Sequence, residues 1–275
     1  MQYEVITSRN NPSVLLAASL KDKKRRDENG LFLVDGEKLF LEAVSNGLGI
    51  ASVFISESVA ERQLMLVERA ISNEKWKNVR VLVLKDHVFE KITAEKSPQG
   101  IVTAIKYLDI FKKCIIINEG DALNLGKTAM LSDLQDPGNL GAVIRSCAAF
   151  GVHSLLLTRD CADIYNPKVL RAAMGNLFRM GVYSVEDPVG TIEALRRSGR
   201  RVWAAELREG ATSVCEIDLF SSDVFVIGNE GHGIAPVLSA ACTGSVYIPI
   251  AEGVESLNAS VAASILLWEQ DRRGK

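Results

Sequence analysis

Apolar residues along the first hundred positions change their spacing repeatedly, from runs that fit strands to spacings that fit helices. "GLFLVDG" (30–36) predicts a strand. "EKLFLEAVSNG" (37–47) places Leu39, Phe40, Ala43 and Val44 at helical spacing and stops at Gly47. "SVFIS" (52–56), "VRVLVL" (79–84) and "GIVTAI" (100–105) predict further strands, with a helix over 59–72. This is the pattern of a small α/β domain of about a hundred residues, taken as 1–106 and followed by a linker at 107–113. From 114 to 275 the alternation restarts. "AMLSDL" (129–134), "SLLLT" (154–158), "RVWAA" (201–205), "DVFVIG" (223–228) and "SVYIPI" (245–250) predict strands, several of them unbroken apolar runs. Helical spacing falls near 139–150, 167–178, 190–198, 235–242 and 258–271. Strands without polar alternation, separated by helices, predict a mostly parallel sheet covered on both faces.

In such sheets ligands bind beyond the carboxyl ends of the strands, so the residues after each strand carry the functional signal. The first junction is "DLQDPGNLGAVIRSCAAFGV" (133–152). Asp136-Pro137-Gly138 reads as a turn and Asn139 as an N-cap. Leu140, Val143, Ile144 and Cys147 form an apolar stripe with Arg145 beside it. Such an Arg either faces the crevice or pairs with an acidic surface neighbour. The second junction is "DVFVIGNEGHGIAP" (223–236). Its glycines allow close backbone approach, but it is neither GxGxxG nor a P-loop. Glu230 would repel a phosphate, so the ligand it suits is uncharged or cationic. The third is "VYIPIAEGVESLNASVAASILLWEQDRR" (246–273), in which Ser256 or Asn258 caps an Ala-rich helix.

Composition narrows the class. With 275 residues, 47% hydrophobic and 24% charged, the chain reads as a soluble globular protein. No apolar run reaches the roughly 20 residues of a membrane span, and the start "MQYEVITSRNNP" shows no secretory signal. The five cysteines lack CxxC spacing and the three histidines lack HExxH, so reduced thiols in a cytoplasmic protein are expected, and no metal. Net charge is −2, divided as +2 over 1–106 and −4 over the remainder. The sharper feature is "KDKKRRDENG" (21–30), which is either a solvated helix end or a patch for phosphates.

Taken together, the three junctions resemble the three motifs of the SpoU/TrmH family of RNA ribose 2′-O-methyltransferases, within the SPOUT class. "DPGNLGAVIRSCAAFGV" is similar to motif one, "VIGNEGHGI" to motif two and "IPIAEGVESLNASVA" to motif three, over roughly 128–271. "ITSRNNPSVLLAASLKDKKRRDENGLFLVDGEKLFLEAV" (6–44) resembles the family's N-terminal substrate-binding domain, similar to the fold of ribosomal protein L30e. The resemblance implies a C-terminal trefoil-knotted methyltransferase domain, S-adenosylmethionine as cofactor and a homodimer. It implies cofactor contacts at Gly228, Asn229, Ile248, Pro249, Ser256 and Leu257. It implies catalytic roles for Asn139, Arg145, Glu230, Ser256 and Asn258. Arg9, Lys23, Lys24, Arg25 and Arg26 become candidates for RNA phosphates. A guanidinium is protonated in proteins, so Arg145 is expected to stabilise charge or order a phosphate, the others orienting it and the ribose. The implied substrate is RNA, with 23S ribosomal RNA favoured and tRNA the alternative. One departure stands out: "RAAMGNL" (171–177) has Ala173 and Asn176 where many relatives read "RASAGAL", a difference that bears on substrate choice. Two other classes compete. A dinucleotide enzyme lacks its GxGxxG here, and a non-catalytic RNA binder would be expected to have lost Arg145, Glu230 or Asn258.

Overall fold

A computed structural model describes residues 2–71, 79–108, 112–115, 117–229 and 231–274, with backbone alone for 112–115. In chain order the strands and helices are β1 (Glu4–Ile6), α1 (Pro12–Ser19), α2 (Lys23–Asn29), β2 (Leu31–Asp35), α3 (Glu37–Ser45), β3 (Ile50–Ser56), α4 (Ala60–Ala70), β4 (Arg80–Leu84), α5 (Asp86–Phe89) and β5 (Ile101–Lys106). Next come β6 (Lys112–Ile115), α6 (Glu119–Asn124), β7 (Thr128–Leu131), α7 (Pro137–Ala149), β8 (Ser154–Leu157), α8 (Pro167–Ala173), β9 (Gly181–Val185), α9 (Pro188–Arg197) and β10 (Val202–Ala205). The chain ends with β11 (Thr212–Ser213), β12 (Val224–Ile227), α10 (Pro236–Ala241), β13 (Gly244–Tyr247) and α11 (Ala259–Arg273).

Two compact units result. Residues 1–108 and 165–178 form the first, and 109–164 with 179–275 the second. The first unit holds a mixed sheet in the order β1-β4-β3-β5-β2, whose β5 runs antiparallel to β3 and β2. α3 forms where expected, burying Leu39, Phe40 and Ala43, and the chain leaves it through Gly47 at φ +67°. A left-handed backbone there suits glycine, which has no Cβ to clash. The first division, after 108, falls inside the segment taken as the linker at 107–113, but 165–178, expected in the second domain, belongs to the first unit. The stretch 165–178 packs with the first unit: Tyr165 stacks on Tyr107 with ring centroids 4.2 Å apart, and its hydroxyl accepts the Leu108 N–H at 2.9 Å. Ala173, one of the departing residues, is fully buried, and Asn176 donates to the Ala173 carbonyl at 2.9 Å.

The second unit is an eight-stranded sheet in the order β11-β13-β10-β12-β7-β8-β9-β6, and every recorded pairing in it is parallel. β7, β8 and β12 are buried at every position, which is why their sequences show no alternation. One face packs on α6, α9 and α10 through Ile192, Leu195, Val202, Val226 and Leu238. α7 and α11 pack against each other, with the Ser146 and Ser264 hydroxyls 2.7 Å apart. β6 begins at Lys112, in the segment expected to be a linker, and runs two residues beyond it. β9 was not predicted, because "GVYSV" is half polar and its burial comes from the neighbouring strands.

Candidate active site

Because β7, β10, β12 and β13 run parallel, their carboxyl ends share one edge of the second unit, and the three junctions meet there. After β7 the chain turns through Asp133 and enters α7 at Pro137. Asp136 is the N-cap, its carboxylate accepting the Asn139 N–H at 2.7 Å. This corrects the expectation that Asn139 caps the helix: Pro137 has no N–H to lose at the first helical position, and the cap lies three residues earlier. Asn139 therefore lies in the first turn of α7 and not at its cap. Its Oδ1 accepts from Asn258 Nδ2 at 3.1 Å. Asn258 in turn caps α11, accepting the N–H groups of Ser260 and Val261. The two motif asparagines, 119 positions apart in sequence, thus touch. Arg145 is exposed, while Leu140, Val143, Ile144 and Cys147 face inward. Its guanidinium makes no hydrogen bond or ion pair with another described residue. Burial pushes the Cys147 thiol up to about 12 and raises Cys161 as well, so both are poor nucleophiles.

The glycine turn is pinned on itself. Asn229 and Gly233 exchange backbone hydrogen bonds of 3.0 and 2.9 Å. A Cβ at Gly228 would lie 2.4 Å from the Gly233 carbonyl oxygen, so no side chain fits there. The Asn229 amide is committed to the protein: Nδ2 donates to the Asp133 carbonyl at 2.8 Å and Oδ1 accepts from Gly231 and His232. It shapes the loop. Glu230 lies outside the described residues.

At the carboxyl ends of β10 and β13, a cavity of about 150 Å³ is bounded by Ala205, Val246, Ile248, Ser256, Leu257 and Leu266, with Glu206 and Glu255 also at its walls. Of the expected cofactor residues, Ile248, Ser256 and Leu257 line it; Gly228, Asn229 and Pro249 do not. Its lining carries no Lys or Arg. An apolar pocket with carboxylates and no cation suits a ligand that presents a flat ring and positive charge, and it disfavours phosphates. Ala205 and Leu207 were missed by motif reading. The strand-end rule applied to "RVWAA" would have found them.

The candidate RNA residues lie in the first unit and behave unequally. Lys23 and Lys24 are exposed in the first turn of α2, where cations oppose the helix dipole. Arg25 pairs with Glu28 at 2.8 Å. Arg9 is half exposed, donating to the His87 carbonyl at 2.8 Å and lying 3.5 Å from Glu90. Arg26 is a correction. It is only 4% exposed and donates to the carbonyls of Leu20 and Lys21, both at 2.9 Å, so it staples the turn before α2 and cannot reach a phosphate. Among the described residues no cluster of His, Cys, Asp or Glu could hold a metal ion, and no helix is long and apolar enough to cross a membrane.

Comparison with known proteins identifies the family. The SpoU rRNA Methylase family matches residues 126–268, and the MRM3-like substrate binding domain matches 11–103. An uncharacterized tRNA/rRNA methyltransferase of Synechocystis sp. is 30% identical over 269 residues, covering 98% of this chain and 93% of that one. The 23S rRNA (guanosine(2553)-2′-O)-methyltransferase of Bacillus subtilis is 29% identical over 263 residues, with 96% and 97% covered. The solved structure of an AdoMet-bound rRNA methyltransferase from Sinorhizobium meliloti superposes with a TM-score of 0.82 at 27% identity, covering 99% of this chain and 98% of that one.

Proposed function

The chain belongs to the SpoU rRNA methylase family, and from that premise we propose that it methylates a ribose 2′-hydroxyl of large-subunit ribosomal RNA. It is an RNA 2′-O-methyltransferase that uses S-adenosylmethionine. The observation that carries the assignment of the site is the contact of Asn139 with Asn258, the residue that follows Leu257 of the cation-free cavity. Ile248, Ser256 and Leu257 would hold the cofactor, with Gly228, Asn229 and Pro249 shaping its surroundings. When bound, S-adenosylmethionine supplies an activated methyl group.

The protein's own work is then positioning and charge. Asn139 and Asn258 orient the ribose and Arg145. Glu230 is assigned the same orienting role and Ser256 a place beside the reacting groups. Arg145, exposed and uncommitted to any described residue, stabilises the charge developing on the ribose oxygen or orders a neighbouring phosphate that takes the proton. The first unit binds RNA through Arg9, Lys23, Lys24 and Arg25. A homodimer and a trefoil knot belong to the same proposal. Val261 and Trp268, exposed at 45% and 49% on α11, support the first; the placing of β12 between β7 and β10, with β13 beyond β10, supports the second. A cytoplasmic location is proposed on the free thiols of Cys147, Cys161, Cys215 and Cys242.

The test is transfer of labelled methyl from S-adenosylmethionine to RNA and ribosomal particles from cells lacking the gene, with nucleoside analysis. One 2′-O-methylated nucleoside in large-subunit rRNA is expected. Label in tRNA alone would move the substrate to tRNA. Absence of both transfer and cofactor binding would leave a non-catalytic RNA binder.

A further inference from the structure

Asp133 stands where β7 turns toward α7, and its φ is +55°, in the left-handed region that L residues avoid. Such a conformation persists only where its surroundings hold it, and here both sides of the residue are held. Its N–H donates to the Thr158 hydroxyl at 2.9 Å, and its carbonyl accepts from Asn229 Nδ2 at 2.8 Å. Asn229 passes the constraint on, because its Oδ1 accepts the N–H groups of Gly231 and His232. Thr158 is itself fixed at the end of β8, buried, with its N–H on the Leu131 carbonyl at 3.0 Å. The ends of β7, β8 and β12 are therefore tied together at one residue. Three residues further on, Asp136 caps the helix that carries Asn139 and Arg145.

We infer that Thr158 and Asp133 are positioning residues for methyl transfer: the Thr158 hydroxyl, acting through the Asp133 backbone and Asn229, sets the start of α7 in register with the glycine turn. Neither side chain needs to touch substrate or cofactor. Thr158 lies outside all three motifs, and the Asp133 carboxylate is occupied by Gln135 Nε2 at 2.7 Å. The inference rests on the reading that Asn139 and Arg145 belong to the active site. It concerns geometry a strained backbone cannot hold alone, and small errors in such geometry cost rate more than affinity.

The experiment compares Thr158→Val, Thr158→Ser, Asp133→Gly and the Thr158→Val/Asp133→Gly pair by kcat, KM, calorimetric affinity for S-adenosylmethionine and thermal unfolding. Thr158→Val should lower kcat about tenfold or more at saturating cofactor while cofactor affinity moves less than about threefold. Thr158→Ser keeps the hydroxyl and should stay within about twofold of wild type. Asp133→Gly removes the strain and should restore most of the rate in the Thr158→Val background. An unchanged kcat in Thr158→Val, a loss matched by cofactor affinity, or no rescue by Ser or Gly would each overturn the inference. Should Thr158→Val not fold, Thr158→Cys keeps volume with a weaker acceptor and should give an intermediate kcat loss. A wild type that transfers no methyl to the RNA used would count against the substrate assignment alone. Hydrogen exchange then reads the bracket: S-adenosylmethionine should protect amides 138–145 in wild type and not in Thr158→Val, and equal protection in both would overturn it.

Discussion

The edge of the second unit and the basic run of the first offer opposite lessons in reading chemistry from a chain. At the sheet edge, Asn139 and Asn258 lie 119 positions apart and end in hydrogen-bond contact. In α2, Lys23 to Arg26 are contiguous and end in different situations: two solvated cations, one ion pair and one buried staple. Parallel strands bring every carboxyl end to one side, so motifs at strand ends keep their meaning across long separations. A helix turns about 100° per residue, so four adjacent cations cannot share a face, and one of them goes inward.

The largest effects should come from breaking the sheet edge. Arg145→Ala is expected to lower methyl transfer by about 100-fold or more, the size seen when a charge-stabilising donor is removed, while calorimetric cofactor affinity stays near wild type. Retained turnover would move the charge-stabilising role elsewhere. Gly228→Ala is expected next. Its methyl would meet the Gly233 carbonyl at 2.4 Å, which forces the turn open, and cofactor affinity should fall at least about tenfold if the turn frames the site. Wild-type affinity in this variant would show that the cavity beside Leu257 binds independently of the turn.

The fold was readable in the sequence to the extent that burial follows the local pattern. The unbroken runs in β12 and β8 announce themselves, and so does α3 with its terminal Gly47. β9 and β6 did not, because partly polar strands become strands only through their neighbours. Nor could periodicity reveal that 165–178 leaves the second sheet's company to pack on Phe32 and Tyr107. At the site, residue types at strand ends were legible and hydrogen-bond duties were not. Asn139 looked like a cap until Pro137 took the first helical position, and Asn229 offers its amide to Asp133.

A finer substitution separates two duties of one residue. Asn258→Asp keeps an acceptor for the N-cap of α11 and removes the Nδ2 donor that reaches Asn139 Oδ1. Asp caps helices about as well as Asn, so the melting temperature should hold. The rate should fall about tenfold if the pair orients the ribose and Arg145. Asn258→Ala should lose both stability and rate. An Asp variant with a wild-type rate would reduce the pair to a packing contact.

The smallest effects belong to the basic run, and they divide it. Lys23→Ala with Lys24→Ala should leave unfolding unchanged, or raise stability slightly by removing cations from a helix start. The same change should flatten the dependence of log RNA affinity on log salt by about 1.4–1.8, the share of two phosphate contacts. Arg26→Ala should do the reverse. The carbonyls of Leu20 and Lys21 lose charged donors, a loss of about 1.5–3 kcal/mol for each such bond, while the salt slope stays put. A shared phenotype across Lys23, Lys24 and Arg26 would mean the run acts as one surface after all. Opposite phenotypes would show that a single turn of helix divides four adjacent cations between binding and folding.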